Sequence, residues 1–411
     1  MPAAHALPAF AGYGIELEYM IVDRQTLAVM PIADRLLRAG AGEVTPDVDR
    51  GPFGWSNEIV LHLVEIKNAR PDPSIEPLAM GFQAEVRSIN RLLEPMGACL
   101  MPGAMHPWMD PATETHLWPH DHAPIYQAYD RIFGCKKHGQ ANLQSMHLNL
   151  PFADDGEFAR LHAAVRLVLP ILPALAASSP IADGMPSGLL DTRMEGYRTA
   201  VGRIPSVIGQ AIPDTICSRA EYESRILAPM YRDIAPFDPE GVLRHEWLNA
   251  RGAIPRFGRN AIEIRVIDVQ ECPQADLAIA AAATAAIRSL YHVDSATLAA
   301  QQAVPTDALE NILLACIRDA ERALIDDAGY LRLLGFPGRH CRAGELWHHL
   351  IEATSLVRSG PWREPLRAIL EHGPLARRIL HALGSDFDQA HLHAVYRKLC
   401  DCLEAGRMFK D

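Results

Sequence analysis

Four short apolar segments of this chain carry polar side chains at alternate positions. Such alternation predicts β-strands, because successive side chains of a strand point to opposite faces of its sheet. The polar groups of each segment then share one face, so the chain is expected to build a sheet with a chemically active surface. The segments are Gly14 to Val22 (GIELEYMIV), Ile59 to Ile66 (IVLHLVEI), Leu143 to Leu150 (LQSMHLNL) and Ala261 to Val269 (AIEIRVIDV).

Helical patterns lie between these segments. We predict helices at 78–93 and at 275–291. A third helix is predicted at 158–177, where Pro170 and Pro173 should make it kink or restart, since proline removes a backbone donor.

Beyond Thr306 the pattern is almost wholly helical. The segment 178–203 is rich in Ser, Gly, Pro and Arg, which is typical of a loop that carries function. Strands interleaved with helices and followed by helices alone predict an α+β fold. We expect a catalytic core over 1–300, with a helical C-terminal region over 301–411 packed on the same domain.

Composition excludes several classes of protein. A net charge of −11 argues against a general nucleic-acid binder, although it allows a local basic pocket for phosphate. The most apolar stretch, 277–287, is too short to span a bilayer, and the N-terminus lacks the pattern of a signal peptide. The eight cysteines are scattered without zinc-type spacing, which predicts reduced thiols and a cytoplasmic location.

The first candidate site residues are Glu16 and Glu18. Two residues apart on a strand, their carboxylates would lie side by side and repel each other unless a proton or a cation intervenes. The alternative is a solvent-facing edge strand with two solvated acids.

A second acidic pair is Glu58 and Glu65. Glu65 lies inside an apolar run, where an unpaired charge is costly to bury. Their separation of seven puts them on opposite faces of a regular strand, so they converge only if Glu58 lies at a turn or a bulge precedes Glu65. Alternatively, Glu65 pairs with an arginine and Glu58 is solvated.

Polar residues also mark the third segment, which contains Gln144, His147 and Asn149. His147 and Asn149 share a face, and an imidazole beside an amide can bind a metal or contact a substrate. A lone histidine on a strand is, however, more often a satisfied core residue.

The fourth segment places Glu263 and Arg265 on one face. A metal on the glutamate and a phosphate on the arginine would satisfy both groups, although a structural salt bridge is an alternative. Upstream, Arg251, Arg256 and Arg259 make a basic loop suited to phosphate oxygens. Oxygen-rich donors favour magnesium, and the chain has neither a P-loop nor a Rossmann glycine motif after its first strand.

Together these motifs resemble the glutamate–cysteine ligase family, within the glutamine-synthetase-like group of carboxylate–amine ligases. The resemblance covers Gly14 to Leu290. It rests on GIELEY, the Glu58/Glu65 pair, His147-Leu148-Asn149, Glu263-Ile264-Arg265, the segment GAMHPWMD, and the loop LPALAASSPIADGMPSGLLDTR that ends at Arg193.

The resemblance implies a curved, mainly antiparallel sheet of the glutamine-synthetase/guanido-kinase type, with outer helices. It also implies two or three magnesium ions and ATP as cosubstrate. The implied metal ligands are Glu16, Glu18, Glu58, Glu65, His147 and Glu263; Glu263 and Arg265 would be catalytic, Arg256, Arg259, Arg265 and Asn149 would bind ATP, and Arg193 and Gln144 would bind substrate.

The implied reaction joins the γ-carboxylate of glutamate to the amine of cysteine through an acyl phosphate, as in glutathione biosynthesis. After Glu65 the family commonly has a Thr-Pro element, whereas this chain has Ile66 to Pro71 (IKNARP). The alternatives are therefore another acid or amine, or an inactive relative that binds nucleotide or metal. We expect amino acids and ATP as partners and no nucleic acid or membrane. The sequence leaves a homo-oligomer open.

Overall fold

An eight-stranded antiparallel sheet is the centre of the computed structural model, which describes residues 6–354, 356 and 360–410. Seven strands run in the order β2-β3-β4-β1-β6-β10-β9, and β5 pairs with the end of β1. The strands of this sheet are β1 (Gly14–Asp23), β2 (Asp47–Arg50), β3 (Phe53–Asn57), β4 (Leu63–Asn68), β5 (Ala98–Met101), β6 (Ser145–Pro151), β9 (Ala253–Arg256) and β10 (Ala261–Asp268).

Two small hairpins and the helices complete the described chain. The hairpins are β7 (Ile181–Ala182) with β8 (Met185–Pro186), and β11 (Leu324–Ile325) with β12 (Cys341–Arg342). The α-helices are α1 (Ala33–Ala41), α2 (Leu78–Leu93), α3 (Pro111–Glu114), α4 (Ala123–Phe133), α5 (His138–Ala141), α6 (Asp155–Val168), α7 (Pro173–Ala176), α8 (Thr192–Ala200), α9 (Arg219–Tyr222), α10 (Ala228–Ile234), α11 (Pro273–Tyr291), α12 (Ser295–Gln302), α13 (Thr306–Asp319), α14 (Ala328–Leu333), α15 (Ala343–Glu352), α16 (Arg363–His372), α17 (Leu375–Leu383) and α18 (Gln389–Ala405). Short 3₁₀ segments lie at Glu94–Met96, Leu169–Ile171, Pro205–Val207, Glu246–Leu248 and Ala320–Arg322, and a π-helical turn lies at Glu223–Leu227.

One face of the sheet is apolar and forms the core. Leu17 of β1, Ile66 of β4 and Leu148 of β6 are fully buried there. Helices α2, α6 and α7 contact the strands, and α11 packs across α2 and α6. Because side chains alternate along each strand, burying this face turns the polar residues to the opposite face.

The predicted strands are confirmed at three of the four segments, as β1, β6 and β10. The predicted strand at 59–66 was wrong at its start, because the strand begins only at Leu63. Residues 58–62 connect β3 to β4, and the strand β3 was not predicted. Its sequence, FGWSN, has few β-branched residues and no clear alternation, so its strand conformation depends on pairing with β4.

The predicted helices at 78–93 and 275–291 are confirmed as α2 and α11. The third is interrupted as expected, since α6 gives way to a 3₁₀ turn that contains Pro170 before α7 begins at Pro173. The predicted loop at 178–203 is only partly a loop. It contains the β7–β8 hairpin and α8, whose first turn is capped by the Asp191 side chain.

The helical region after Thr306 is confirmed apart from the short β11–β12 hairpin. Helices α15 and α16 contact α11, and α18 contacts α2 and β5. The domain boundary at residue 300 stays a prediction. Within the described residues, no helix has both the length and the apolar character needed to cross a membrane.

Three buried histidines make stability depend on pH. Burial lowers the pKa of His62 and of His106 to about 4, and burial followed by the charge of Arg166 lowers the pKa of His162 to about 3. The neutral form is therefore favoured in the folded state. Its stabilising effect is complete above the unfolded pKa of roughly 6.5 and is lost as pH falls towards these values.

We predict that His162→Gln changes this dependence. Between pH 7.5 and pH 5, the wild-type protein should lose roughly 2 kcal/mol more unfolding free energy than the variant, because only the wild type must protonate residue 162 on unfolding. Urea unfolding at both pH values measures the difference. A wild-type-minus-variant difference that is the same at both pH values would contradict the prediction.

Candidate active site

Polar side chains from four adjacent strands meet on the face of the sheet opposite the core. Directly opposed residues of antiparallel strands point to the same side, so the register fixes which groups are neighbours. In this register Glu18 lies opposite Glu65, Glu16 lies opposite both Lys67 and His147, and Glu263 lies opposite Asn149.

Glu58 joins this face from the connection that follows β3. Because Glu58 lies outside the strands, its side chain does not follow the alternation of β4. A non-strand position of this kind is what the sequence required for Glu58 to converge with Glu65. Two groups of side chains result, each with ligand atoms within 4.8 Å of one another. The first acid group is Glu16, Glu65 and His147, and the second acid group is Glu18, Glu58 and Glu65.

His147 connects the acids of β1. Its Nδ1 lies 2.7 Å from Glu16 Oε2, and its Nε2 lies 3.0 Å from Ser145 Oγ and 3.7 Å from Glu18 Oε1. Asn149 Nδ2 donates to the other oxygen of Glu16 at 3.2 Å. His147 is therefore a partner of the acids and not an isolated core histidine.

Glu18 and Glu65 are held by hydroxyl groups of neighbouring strands. The backbone nitrogen and Oγ of Ser145 donate to Glu18 Oε2 at 2.7 and 3.0 Å. Ser56 Oγ donates to Glu65 Oε1 at 2.6 Å, and Lys67 Nζ lies 3.2 Å from the same oxygen. These contacts fix the carboxylates before any ligand is bound.

Glu16 and His147 shift each other's pKa values in opposite directions. Burial acts to raise the pKa of Glu16, but the hydrogen bond and charge of His147, with Arg259 and Lys67, lower it to about 2. Burial acts to lower the pKa of His147, but Glu16 and Glu18 raise it to about 9. The pair thus favours the ionised carboxylate and the protonated imidazole.

Glu58 and Glu65 behave differently, because burial and neighbouring acids favour their protonated forms. Burial, followed by the charge of Glu16, raises the pKa of Glu65 to about 7 against the opposing effect of Lys67. Burial, followed by the charges of Glu18 and Glu65, raises the pKa of Glu58 well above its ordinary value. A cation placed among these oxygens would relieve the repulsion.

Glu263 lies beside the acid groups but faces arginines. Arg256 Nη1 donates to Glu263 Oε2 at 2.7 Å, and Arg265 Nε lies 2.8 Å from Oε1. Both oxygens are thus in ion pairs, and Glu263 is not a member of either acid group. The structural salt bridge considered for Glu263 and Arg265 is present, and the predicted metal-binding and catalytic roles stay predictions.

A cavity of about 780 Å³ opens beside Glu16. Its wall includes Lys67, Asn149 and Arg259, together with Gly258 and Asn260 of the β9–β10 turn. Gly14 also lines it, and a Cβ atom there would lie 3.0 Å from the Cβ of Asn149. Two predicted ATP-binding residues, Asn149 and Arg259, therefore lie in the cavity wall, whereas Arg256 and Arg265 pair with Glu263.

The predicted substrate-binding residues are both buried. The Arg193 guanidinium is ion-paired with Asp268, a carboxylate that also accepts from the Ser178 nitrogen at 2.8 Å and from Ser179 Oγ at 3.0 Å. These contacts anchor α8 and the loop residues Ser178 and Ser179 to the end of β10. Gln144 is fully buried, and its side-chain amide has no hydrogen-bond partner among the described residues.

Four residues of this region were missed by sequence reasoning. Ser145 and Lys67 each lie two positions from a predicted ligand, so strand alternation could have placed them on the active face. Ser56 lies on the unpredicted strand β3, and Asp268 acts through a partner 75 residues away. Neither of the last two has a local signal.

Comparison with known proteins identifies the family. The model of glutamate–cysteine ligase family 2 (GCS2) matches residues 13–400. The chain belongs to this family. Membership confirms the resemblance found in the sequence and extends it over most of the C-terminal helices.

Two relatives illustrate the similarity to family members. A protein of Archaeoglobus fulgidus, named "Uncharacterized protein", is 36% identical over 276 residues, which cover 67% of this chain and 74% of that protein. A Rubrobacter xylanophilus protein named "Putative glutamate--cysteine ligase 2-3" is 28% identical over 274 residues, which cover 65% of this chain and 66% of that protein.

Solved structures have the same fold at low identity. A glutamate–cysteine ligase from Francisella tularensis in complex with AMP has a TM-score of 0.57 at 13% identity, over 95% of this chain and 88% of that one. A bifunctional glutathione synthetase from Pasteurella multocida has a TM-score of 0.59 at 13% identity, over 96% of this chain and 53% of that one. The predicted fold class is thereby confirmed.

The buried Arg193 pair makes a testable prediction about stability. Arg193→Met leaves the Asp268 charge unpaired in the interior and should lower the unfolding free energy by about 3–5 kcal/mol. Arg198→Met on the same helix is the control, since its pair with Glu195 is about one-third exposed and should contribute less than about 1 kcal/mol. Urea unfolding measures both, and equal small losses would show that the Arg193 pair does not stabilise the fold.

Proposed function

We propose that this member of the glutamate–cysteine ligase family is a magnesium- and ATP-dependent carboxylate–amine ligase. The observation that carries the proposal is the convergence of four carboxylates beside a cavity of about 780 Å³ with basic walls. Acidic and basic groups in this arrangement suit a complex of divalent ions with a polyphosphate, since the ions bind the acids and the phosphates contact the basic wall.

The donor set fits magnesium. The ligand atoms of each acid group lie within 4.8 Å of one another, and burial followed by the charge of nearby acids raises the pKa values of Glu58 and Glu65. Hard oxygen donors and excess negative charge favour Mg²⁺ over softer ions. Glu16, Glu18, Glu58 and Glu65 would hold the ions, and His147 would join them on losing its proton to become a neutral imidazole. Bound magnesium would neutralise the charge by which a carboxylate and a triphosphate repel each other.

The cavity suits the nucleotide. Its volume of about 780 Å³ is within the ordinary range for ligand sites, and Glu16 is one of the residues that line it. Arg259 and Lys67 supply positive charge for phosphate oxygens, while Asn149 offers an amide. We propose that the triphosphate lies here with its terminal phosphate towards the acids, and that Arg265 contacts the transferring group after exchanging its pairing with Glu263 for phosphate.

The proposed reaction has two steps. An oxygen of the substrate carboxylate attacks the γ-phosphorus of ATP, the bond to the bridging oxygen breaks, and ADP leaves. The neutral amine nitrogen then attacks the carbonyl carbon of the acyl phosphate, the carbon–oxygen bond breaks with its electron pair on the departing phosphate, and that phosphate takes up the proton that the nitrogen loses. The protein's part is to align the two substrates and to exclude water, which would otherwise hydrolyse the acyl phosphate.

Glutamate and cysteine are the substrates that we propose first, from the family's name. Lys67 and Arg70 favour a second candidate, because they stand where the family commonly has a Thr-Pro element and they line the cavity. The second candidate is the same chemistry on another amino acid or amine. A cytoplasmic location remains a prediction.

Phosphate release tests the proposed activity. With ATP and Mg²⁺, release should require glutamate and cysteine together, and the product should have the mass of their dipeptide. Release that requires a different acid or amine would select the second candidate. A chain that releases no phosphate with any acid and amine tested, while its fold is intact, would contradict the ligase assignment.

Glu18→Gln tests the metal site within that activity. It removes one negative charge while keeping hydrogen-bonding capacity, so turnover should fall by about 100-fold or more, because stabilisation of the phosphoryl group is lost. Glu76→Gln, at an exposed position between β4 and α2, is the control and should retain wild-type activity. Phosphate release and circular dichroism measure both variants, and near-wild-type turnover of Glu18→Gln would remove Glu18 from the site.

A further inference from the structure

Lys67 lines the cavity and also contacts a proposed metal ligand, Glu65. It lies on β4 opposite Glu16, on the active face and in the cavity wall. Its Nζ atom lies 3.2 Å from Glu65 Oε1, 2.9 Å from Ser56 Oγ and 3.1 Å from Asp47 Oδ1. The ammonium group is thus held between two carboxylates and a hydroxyl group, which is an environment that would suit a metal ion.

These contacts limit what Glu65 can bind. A carboxylate oxygen offers about two lone-pair sites. On Glu65 Oε1, Ser56 Oγ donates at 2.6 Å and the Lys67 ammonium occupies the remaining side. Only Oε2 is left for a metal ion, so Glu65 cannot readily supply a separate oxygen to each acid group.

The two acid groups are affected differently. Lys67 lies on the side of Glu16, and therefore adds its charge to the first acid group, which already contains the His147 imidazole. In the second acid group, Glu18 and Glu58 have no ion pair with a lysine or arginine among the described residues. The second group therefore has the stronger attraction for a free divalent ion.

We propose that Lys67 is a built-in cation that takes the place of a divalent ion on Glu65. The second acid group then binds one ion without nucleotide. The first acid group gains an ion only when nucleotide phosphates bring further oxygen ligands. This inference rests on the metal site of the proposed function, but it concerns ion number and does not depend on which acid or amine is joined.

Counting bound Mn²⁺ tests the inference. Mn²⁺ is the probe because it accepts the same oxygen donors as Mg²⁺ and its free aqueous ion gives an electron paramagnetic resonance signal. Titration of the full chain without nucleotide should show about one bound ion per chain, and addition of ADP should raise the number to about two. Lys67→Met, which keeps an unbranched side chain one atom shorter but removes its charge, should bind about two ions without nucleotide.

Two control variants separate the local contact from general electrostatics. Arg70→Met removes a positive charge from the same cavity wall without touching Glu65, and should still bind about one ion. Lys67→Arg keeps the charge and should also bind about one. Circular dichroism verifies that each variant is folded.

The inference is overturned if the wild type binds two ions without nucleotide, or if folded Lys67→Met still binds one. An equal gain in Arg70→Met would overturn it as well, since the effect would then be general. Ion counting needs no turnover, so an absent ligase activity with these ion numbers intact would contradict only the proposed function. A folded wild type that binds no Mn²⁺ with or without ADP would contradict both.

Discussion

Crowding of negative charge on one face of a sheet is the constraint on which the rest of the site depends. Glu16, Glu18, Glu58 and Glu65 lie close enough for their ligand atoms to form two overlapping groups. Mutual repulsion on this scale requires compensation. The fold supplies part of it through His147, Lys67 and Arg259, which lower the pKa of Glu16. Glu58 and Glu65 keep raised pKa values, and a further cation bound beside them would stabilise their ionised forms.

The antiparallel sheet makes this concentration of charge tolerable. Its apolar face buries Leu17, Ile66 and Leu148 under helices, so the favourable burial that stabilises the strands is separated from the costly polar face. Register then decides which charges meet, since Glu18 opposes Glu65 and Glu16 opposes His147. A slip of one residue would turn the acids into the core, and the site therefore depends on the same pairing as the fold.

Sequence reasoning reached the active face because alternation is a local signal. It placed Glu16 with Glu18 and His147 with Asn149, and it stated the turn that Glu58 needs. It did not find β3, whose strand form depends on pairing with β4, or the Ser56 contact that comes with it. Arg193 could not be distinguished from a substrate-binding arginine, because its partner Asp268 is brought to it only by the tertiary fold. The roles assigned to Glu263 and Gln144 stay predictions.

Transfer of oxygen from substrate to phosphate tests the central claim that this face supports ligation through an acyl phosphate. Glutamate labelled with ¹⁸O in its side-chain carboxylate would be incubated with ATP, Mg²⁺ and cysteine, and the released phosphate analysed by mass spectrometry. We expect each phosphate to carry one ¹⁸O atom, because the substrate oxygen that attacks phosphorus leaves with it. Unlabelled phosphate, released as the dipeptide forms, would contradict the account.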